Sequence, residues 1–73
     1  MDISAVEQRF YASLLPGAPQ IKVALLIARA FKDLETPEDE TINEALDKLI
    51  ERSDIEAFGD VHHWRKSEIK RFD

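Results

Sequence analysis

"AFGDVHHWRKSEIKRFD", residues Ala57 to Asp73, closes the chain and decides how the rest of it is read. It opens in strand-like alternation, breaks at Gly59, and then turns basic and aromatic. Such an ending is either the hairpin of a winged DNA-binding domain or a small sheet that finishes a helical core. Ile55 and Ala57 alternate with Glu56 and Phe58, and "SEIKRF" (Ser67 to Phe72) alternates again around Ile69; both are strand periodicity. Gly59 and Asp60 begin a connection through "VHHWRK". The expectation is two antiparallel strands, about 54–58 and 67–72, joined by a loop longer than a tight hairpin prefers.

Three helical segments precede this ending. In "TPEDETINEALDKLIERS", Ile42, Ala45, Leu46, Leu49 and Ile50 form one apolar stripe. Thr36 reads as N-cap, with Pro37 at the first helical position. Glu38, Asp39 and Glu40 then meet the positive end of the helix dipole. The stretch "PQIKVALLIARAFKDL" is the most apolar. Ile21, Ala24, Leu25, Ala28 and Phe31 share one face, and Lys22, Arg29, Lys32 and Asp33 form a narrow polar stripe near Leu26. A helix this greasy belongs in the middle of a fold. In "DISAVEQRFYASLL", Ile3, Val6, Phe10 and Leu14 recur at helical spacing. Ser4 with Glu7 matches a capping box, and Asp2 is an alternative cap one turn earlier. Pro16 with Gly17, and "ETPEDE" (Glu35 to Glu40), punctuate the chain.

The expected fold is therefore mainly α within the α+β class. It has helices about 3–15, 19–34 and 37–52, then a C-terminal two-stranded antiparallel hairpin, winged-helix-like, in one domain covering 1–73. Ile21, Leu25, Ile27, Phe31, Ile42, Leu46, Leu49, Ile55 and Ile69 are the expected core. The chain has 73 residues and no cysteine, so neither disulfides nor thiolate metal sites stabilise it. No apolar run approaches the ~20 residues that span a bilayer. The N-terminus lacks the pattern of a signal peptide. A cytoplasmic location is the expectation.

The net charge of −5 hides a strong asymmetry. Residues 1–32 and 61–73 each carry two acids and four bases, whereas residues 33–60 carry eleven acids and two bases. The third helical segment holds six of those acids and both bases. Its acids repel polyanions, because nonspecific nucleic-acid binding depends on cations replacing counterions. The helix best shaped to enter a DNA groove thus carries the wrong sign. Neither of the last two helices offers a polar face of base-reading Arg, Asn or Gln.

Glu35, Glu38, Asp39, Glu40, Glu44, Asp47 and Glu51 make a long acidic edge. Within it, Glu44, Asp47 and Glu51 are the candidate contacts to another protein, a basic one, together with Trp64 and Arg65 in the loop. Trp64 reads either as a lid on the core or as an exposed anchor. A DNA-binding winged helix using Arg65, Lys66, Lys70 and Arg71 is the alternative. Two adjacent histidines, His62 and His63, would point to opposite sides of a strand, so they do not read as a metal pair. No nucleophile, base and orienting group come together from spacing, and no glycine-rich phosphate loop is present. No catalytic residue, metal site or cofactor is expected. A two-stranded hairpin has two open edges, and pairing hairpins across a homodimer would cover one of them.

From Leu49 onward the chain resembles a small uncharacterised bacterial domain family. Its members end in a helix, a pattern near L-x-x-x-G-x-L-E-A-x-G-D, a variable loop and R-x-S-E-V-R. The matching residues are Leu49, Ile55, Glu56, Ala57, Gly59 and Asp60, then Arg65, Ser67, Glu68, Ile69 and Lys70, with Ser53 where the pattern has glycine. The resemblance implies a helix–hairpin ending and no assigned activity. An Asp60–Arg65 pair and side-chain hydrogen bonds bracing the loop would give these motif residues a structural role.

Overall fold

A computed structural model describes residues 1–72. Helix α1 spans Ile3–Ser13, strand β1 Ile21–Lys22, helix α2 Val23–Ala30, helix α3 Asp39–Leu49, and strands β2 and β3 Ile55–Phe58 and Glu68–Arg71. The strands form one antiparallel sheet in the order β1-β3-β2. Three helices and a C-terminal hairpin are present as expected, in a mixed α+β fold. The element order is that of a winged helix, with the β2–β3 connection in the place of the wing.

The sheet differs from expectation by one strand. Ile21 and Lys22 do not open a helix; they pair with Ile69 and Glu68 of β3. Pro19 and the punctuation before it keep this stretch extended, and β-branched Ile21 suits a strand. The consequence for assembly is direct. β1 covers the outer edge of β3 within the same molecule, so that edge needs no second copy. β2 pairs with β3 alone, in the register Ile55↔Arg71 to Phe58↔Glu68.

Starting α2 at Val23 also turns its face. Val23, Leu26, Ile27 and Ala30 are buried at i, i+3, i+4 and i+7, and Leu26 is fully enclosed. Leu25, expected in the core, is 42% exposed. Ile21 is only half-buried because it lies in the sheet. The other expected core residues are buried, joined by Val6 and Phe10 of α1, its C-cap Leu14, and Ala45 and Val61. Phe10 meets Phe31 edge to face at 5.9 Å between ring centres, a favoured aromatic geometry.

Caps shift as well. Asp2 caps α1, accepting from the Ala5 N–H at 2.8 Å, so the alternative to the Ser4–Glu7 box is the one realised. Glu7 is instead buried and takes a two-pronged ion pair from Arg52, at 2.5 and 3.2 Å. That pair ties α1 to the turn after α3. α3 begins at Asp39 with Glu38 as cap, not at Pro37 behind Thr36. Residues 31–38 carry the chain from buried Phe31 to buried Ile42, and that crossing consumes the turn the sequence offers.

Arginines close two helix C-termini from a distance. Arg9 Nε and Nη2 donate to the Ala30 carbonyl at 3.0 and 2.7 Å, at the end of α2. Arg71 Nη1 donates to the Tyr11 and Leu14 carbonyls at 3.3 and 3.1 Å, at the end of α1. Last-turn carbonyls lack intrahelical partners and carry the negative end of the dipole, so cations suit them. Tyr11 lies between the Arg52 and Arg71 guanidinium groups, each 3.9 Å from its ring centre, and its hydroxyl donates to Asp54. The hydrogen bond to Glu7 raises the Arg52 pKa above the ordinary arginine value, against the opposing effect of burial. A raised folded-state pKa contributes stability that is complete below the ordinary value and lost only above it. The Arg52 side of this pair is therefore insensitive to pH across the physiological range.

Candidate functional site

The β2–β3 connection builds the site. It starts at Gly59, whose φ of +87° is a conformation side-chain-bearing residues rarely adopt. The Asp60 carboxylate accepts the His62 N–H at 2.9 Å, and its carbonyl accepts the His63 N–H at 2.8 Å. The His63 carbonyl then accepts from the Lys66 N–H at 2.9 Å and from the Ser67 hydroxyl at 2.8 Å. Ser67 is fully buried, and Val61 anchors the loop in the core. Side-chain bracing of the loop is thus present at Ser67. The expected Asp60–Arg65 pair is absent among the described ion pairs, because Asp60 turns to the backbone inside its own loop.

This loop is folded down onto the helices instead of projecting as a ribbon. The first amides of α2, on Val23 and Ala24, donate to the Ser67 and Trp64 carbonyls at 3.1 and 2.9 Å. Lys22, the N-cap of α2, offers no side-chain hydrogen bond, and the loop supplies the missing acceptors. Two further bonds reach α3. Trp64 Nε1–H donates to Asn43 Oδ1 at 2.9 Å, and His62 Nε2 lies 2.9 Å from Asp47 Oδ1. Asn43 and Asp47 are four residues apart and so share a helix face. Trp64 is half-buried against the core, as a lid would be.

Between loop and helix runs a groove of about 440 Å³, lined by Asp39, Asn43, His62, His63, Trp64, Arg65 and Lys66. Its α3 wall carries the Asp39 carboxylate, and its loop wall carries the Arg65 and Lys66 cations, both exposed. Beyond the groove, Glu40, Glu44, Asp47 and Glu51 face solvent. Of these, only Asp47 has a basic partner within 4.0 Å among the described residues, namely His62. Trp64 and Arg65 share the groove with Asp39 and Asn43 of α3, while Glu44 lies further along α3 and Glu51 in the turn after it.

The four cations proposed for DNA do not stay together. Arg71 is committed to α1: its Nη1 caps the helix, its guanidinium stacks on Tyr11, and its buried Nε faces Asp54 across 4.0 Å. Lys70 is half-buried with its ammonium 5.4 Å from the Phe72 ring centre. Only Arg65 and Lys66 remain exposed in the loop. The sequence reading missed Asn43, whose visible signal was its place one turn before Asp47 on the flank of the apolar stripe. His62, which the sequence offers only as half of an unsuited metal pair, is tied to α3 by its bond to Asp47.

Among the described residues, no three His, Cys, Asp or Glu side chains gather to hold a metal ion. No described helix is long and apolar enough to cross a membrane. No family model, curated protein or solved structure matches this chain.

Proposed function

We propose that this chain is a small, non-catalytic interaction or regulatory module of the cytoplasm, which docks a basic protein on the exposed face of α3 and the adjoining Trp64 groove. Its motif residues from Leu49 to Lys70 support placing it with the bacterial family it resembles. One observation carries the reading: Glu40 and Glu44 on α3 and Glu51 in the turn after it stand exposed without a basic partner within 4.0 Å among the described residues. Unmatched carboxylates on a rigid helix steer and select a cationic partner. The loop adds an indole, two cations and hydrogen-bonding groups at the edge of the same surface, which gives the partner shape to match as well as charge.

The test is affinity capture with the wild-type chain and with Glu44, Asp47 and Glu51 reversed to lysine. One basic protein should be retained by the wild type and lost on reversal. Retention of the same protein by the reversed variant would defeat the reading.

DNA binding through the loop is the second reading, favoured by the winged-helix element order. It has Arg65 and Lys66 to work with, next to an acidic helix. A gel-shift titration decides it: specific binding with a steep loss in rising salt, abolished by Arg65→Glu with Lys66→Glu, would put this reading first.

A further inference from the structure

The exposed faces of α2 and α3 carry opposite charge. On α2, Leu25, Ala28 and Arg29 are exposed at i, i+3 and i+4, with Lys32 just beyond the helix and Lys22 at its start. Neither Arg29 nor Lys32 has an acid within 4.0 Å among the described residues. Lys22 is held loosely by Glu68 at 3.8 Å. On α3 and the turn after it, Glu40, Glu44, Asp47 and Glu51 follow at i, i+4, i+7 and i+11. Residues at these spacings share one side of a helix. A net-cationic face with an uncovered leucine, bordered by exposed Asp33, and a net-anionic face flanked by exposed Lys48 thus occur in one molecule.

We propose that the α2 face of one copy binds the α3 face of a second copy, with Leu25 covered at the centre of the contact. Charge complementarity selects this occupant: among the described residues, Arg29 and Lys32 lack acids, and Glu40, Glu44 and Glu51 lack cations within 4.0 Å. The two faces differ, so the contact is head-to-tail, and it closes into a dimer only where a two-fold axis lets each copy offer both faces. Exposed ion pairs are individually weak and screened by salt. The association is accordingly weak and reversible, with a dissociation constant on the order of 0.1–1 mM at low ionic strength. It covers the carboxylates assigned above to a basic partner, so high local concentration of the chain competes with that partner. The inference needs only the two faces and does not depend on the partner reading.

Sedimentation equilibrium from about 10 µM to about 1 mM, in about 20 mM and about 0.5 M salt, tests it. At low salt the average mass should climb with concentration, and at high salt it should stay at the monomer value. Arg29→Glu with Lys32→Glu makes both faces acidic, and Glu44→Lys with Glu51→Lys weakens the acid face while sparing the Asp47–His62 tie. Each variant should be monomeric alone, and an equimolar mixture of the two should associate. A wild type that stays monomeric at about 1 mM and low salt overturns the proposal, as does a mixture that stays monomeric. Self-association persisting in Arg29→Glu/Lys32→Glu overturns it equally. That same variant leaves α3 intact, so loss of self-association with partner capture retained separates this inference from the one before it.

Discussion

Arg65 and Arg71 stand six residues apart in the same basic tail and have opposite fates. Arg65 lies exposed on the rim of the groove, without an acid within 4.0 Å among the described residues. Arg71 is folded under α1, closing its C-terminus and stacking on Tyr11. Both add one positive charge to any composition count, yet only Arg65 is available to a partner. The difference teaches that a cation near an unsatisfied helix end is drawn into the fold. There it replaces water at carbonyls of the last turn, which the helix leaves under-bonded. A cation on a self-bonded loop stays outside.

Three variants probe that contrast. The largest effect belongs to Arg71→Ala, which removes a charged donor from two carbonyls and one of the two guanidinium groups stacked on Tyr11. It should lower stability by about 2–3 kcal/mol, seen as a fall in Tm of about 10–20 °C in a circular dichroism melt. A change below about 0.5 kcal/mol would mean that Arg71 is a surface residue after all. Next comes Asn43→Ala, which leaves the half-buried Trp64 N–H without its acceptor. A loss of about 1 kcal/mol is expected. Trp64 is the single tryptophan, so a red shift of the emission should accompany it as the lid loosens; an unchanged spectrum would sever the loop from α3. Smallest is the double change Arg65→Ala with Lys66→Ala. Unfolding in urea should match the wild type within about 0.5 kcal/mol, because these side chains serve solvent and partners rather than the fold. A marked loss there would erase the distinction between the two arginines.

Much of the architecture was legible beforehand. The stripe Ile42, Ala45, Leu46, Leu49 is buried as its spacing implied, and β2 and β3 fall where alternation around Ala57 and Ile69 placed them. β1 was not legible, because two residues carry no measurable period. Missing it displaced the start of α2 and exchanged the fates of Leu25 and Leu26. The candidate site was half legible. The acidic face of α3 could be counted from its residues, and Trp64 as a lid was one of two readings. The Trp64–Asn43 and His62–Asp47 ties were not, since each joins residues at least fifteen positions apart.

Local order by itself set the helix periods, the strand alternation, the glycine break at Gly59 and the sign of charge along each segment. These depend on neighbours within a turn or a strand, which the chain carries with it before it folds. Which cations remain outside, which leucine of α2 is covered and how the loop is fastened were decided by tertiary structure alone. Each follows from a long-range demand: orphaned carbonyls and amides at helix ends need partners, and only the assembled fold determines which side chain or loop comes near enough to supply them.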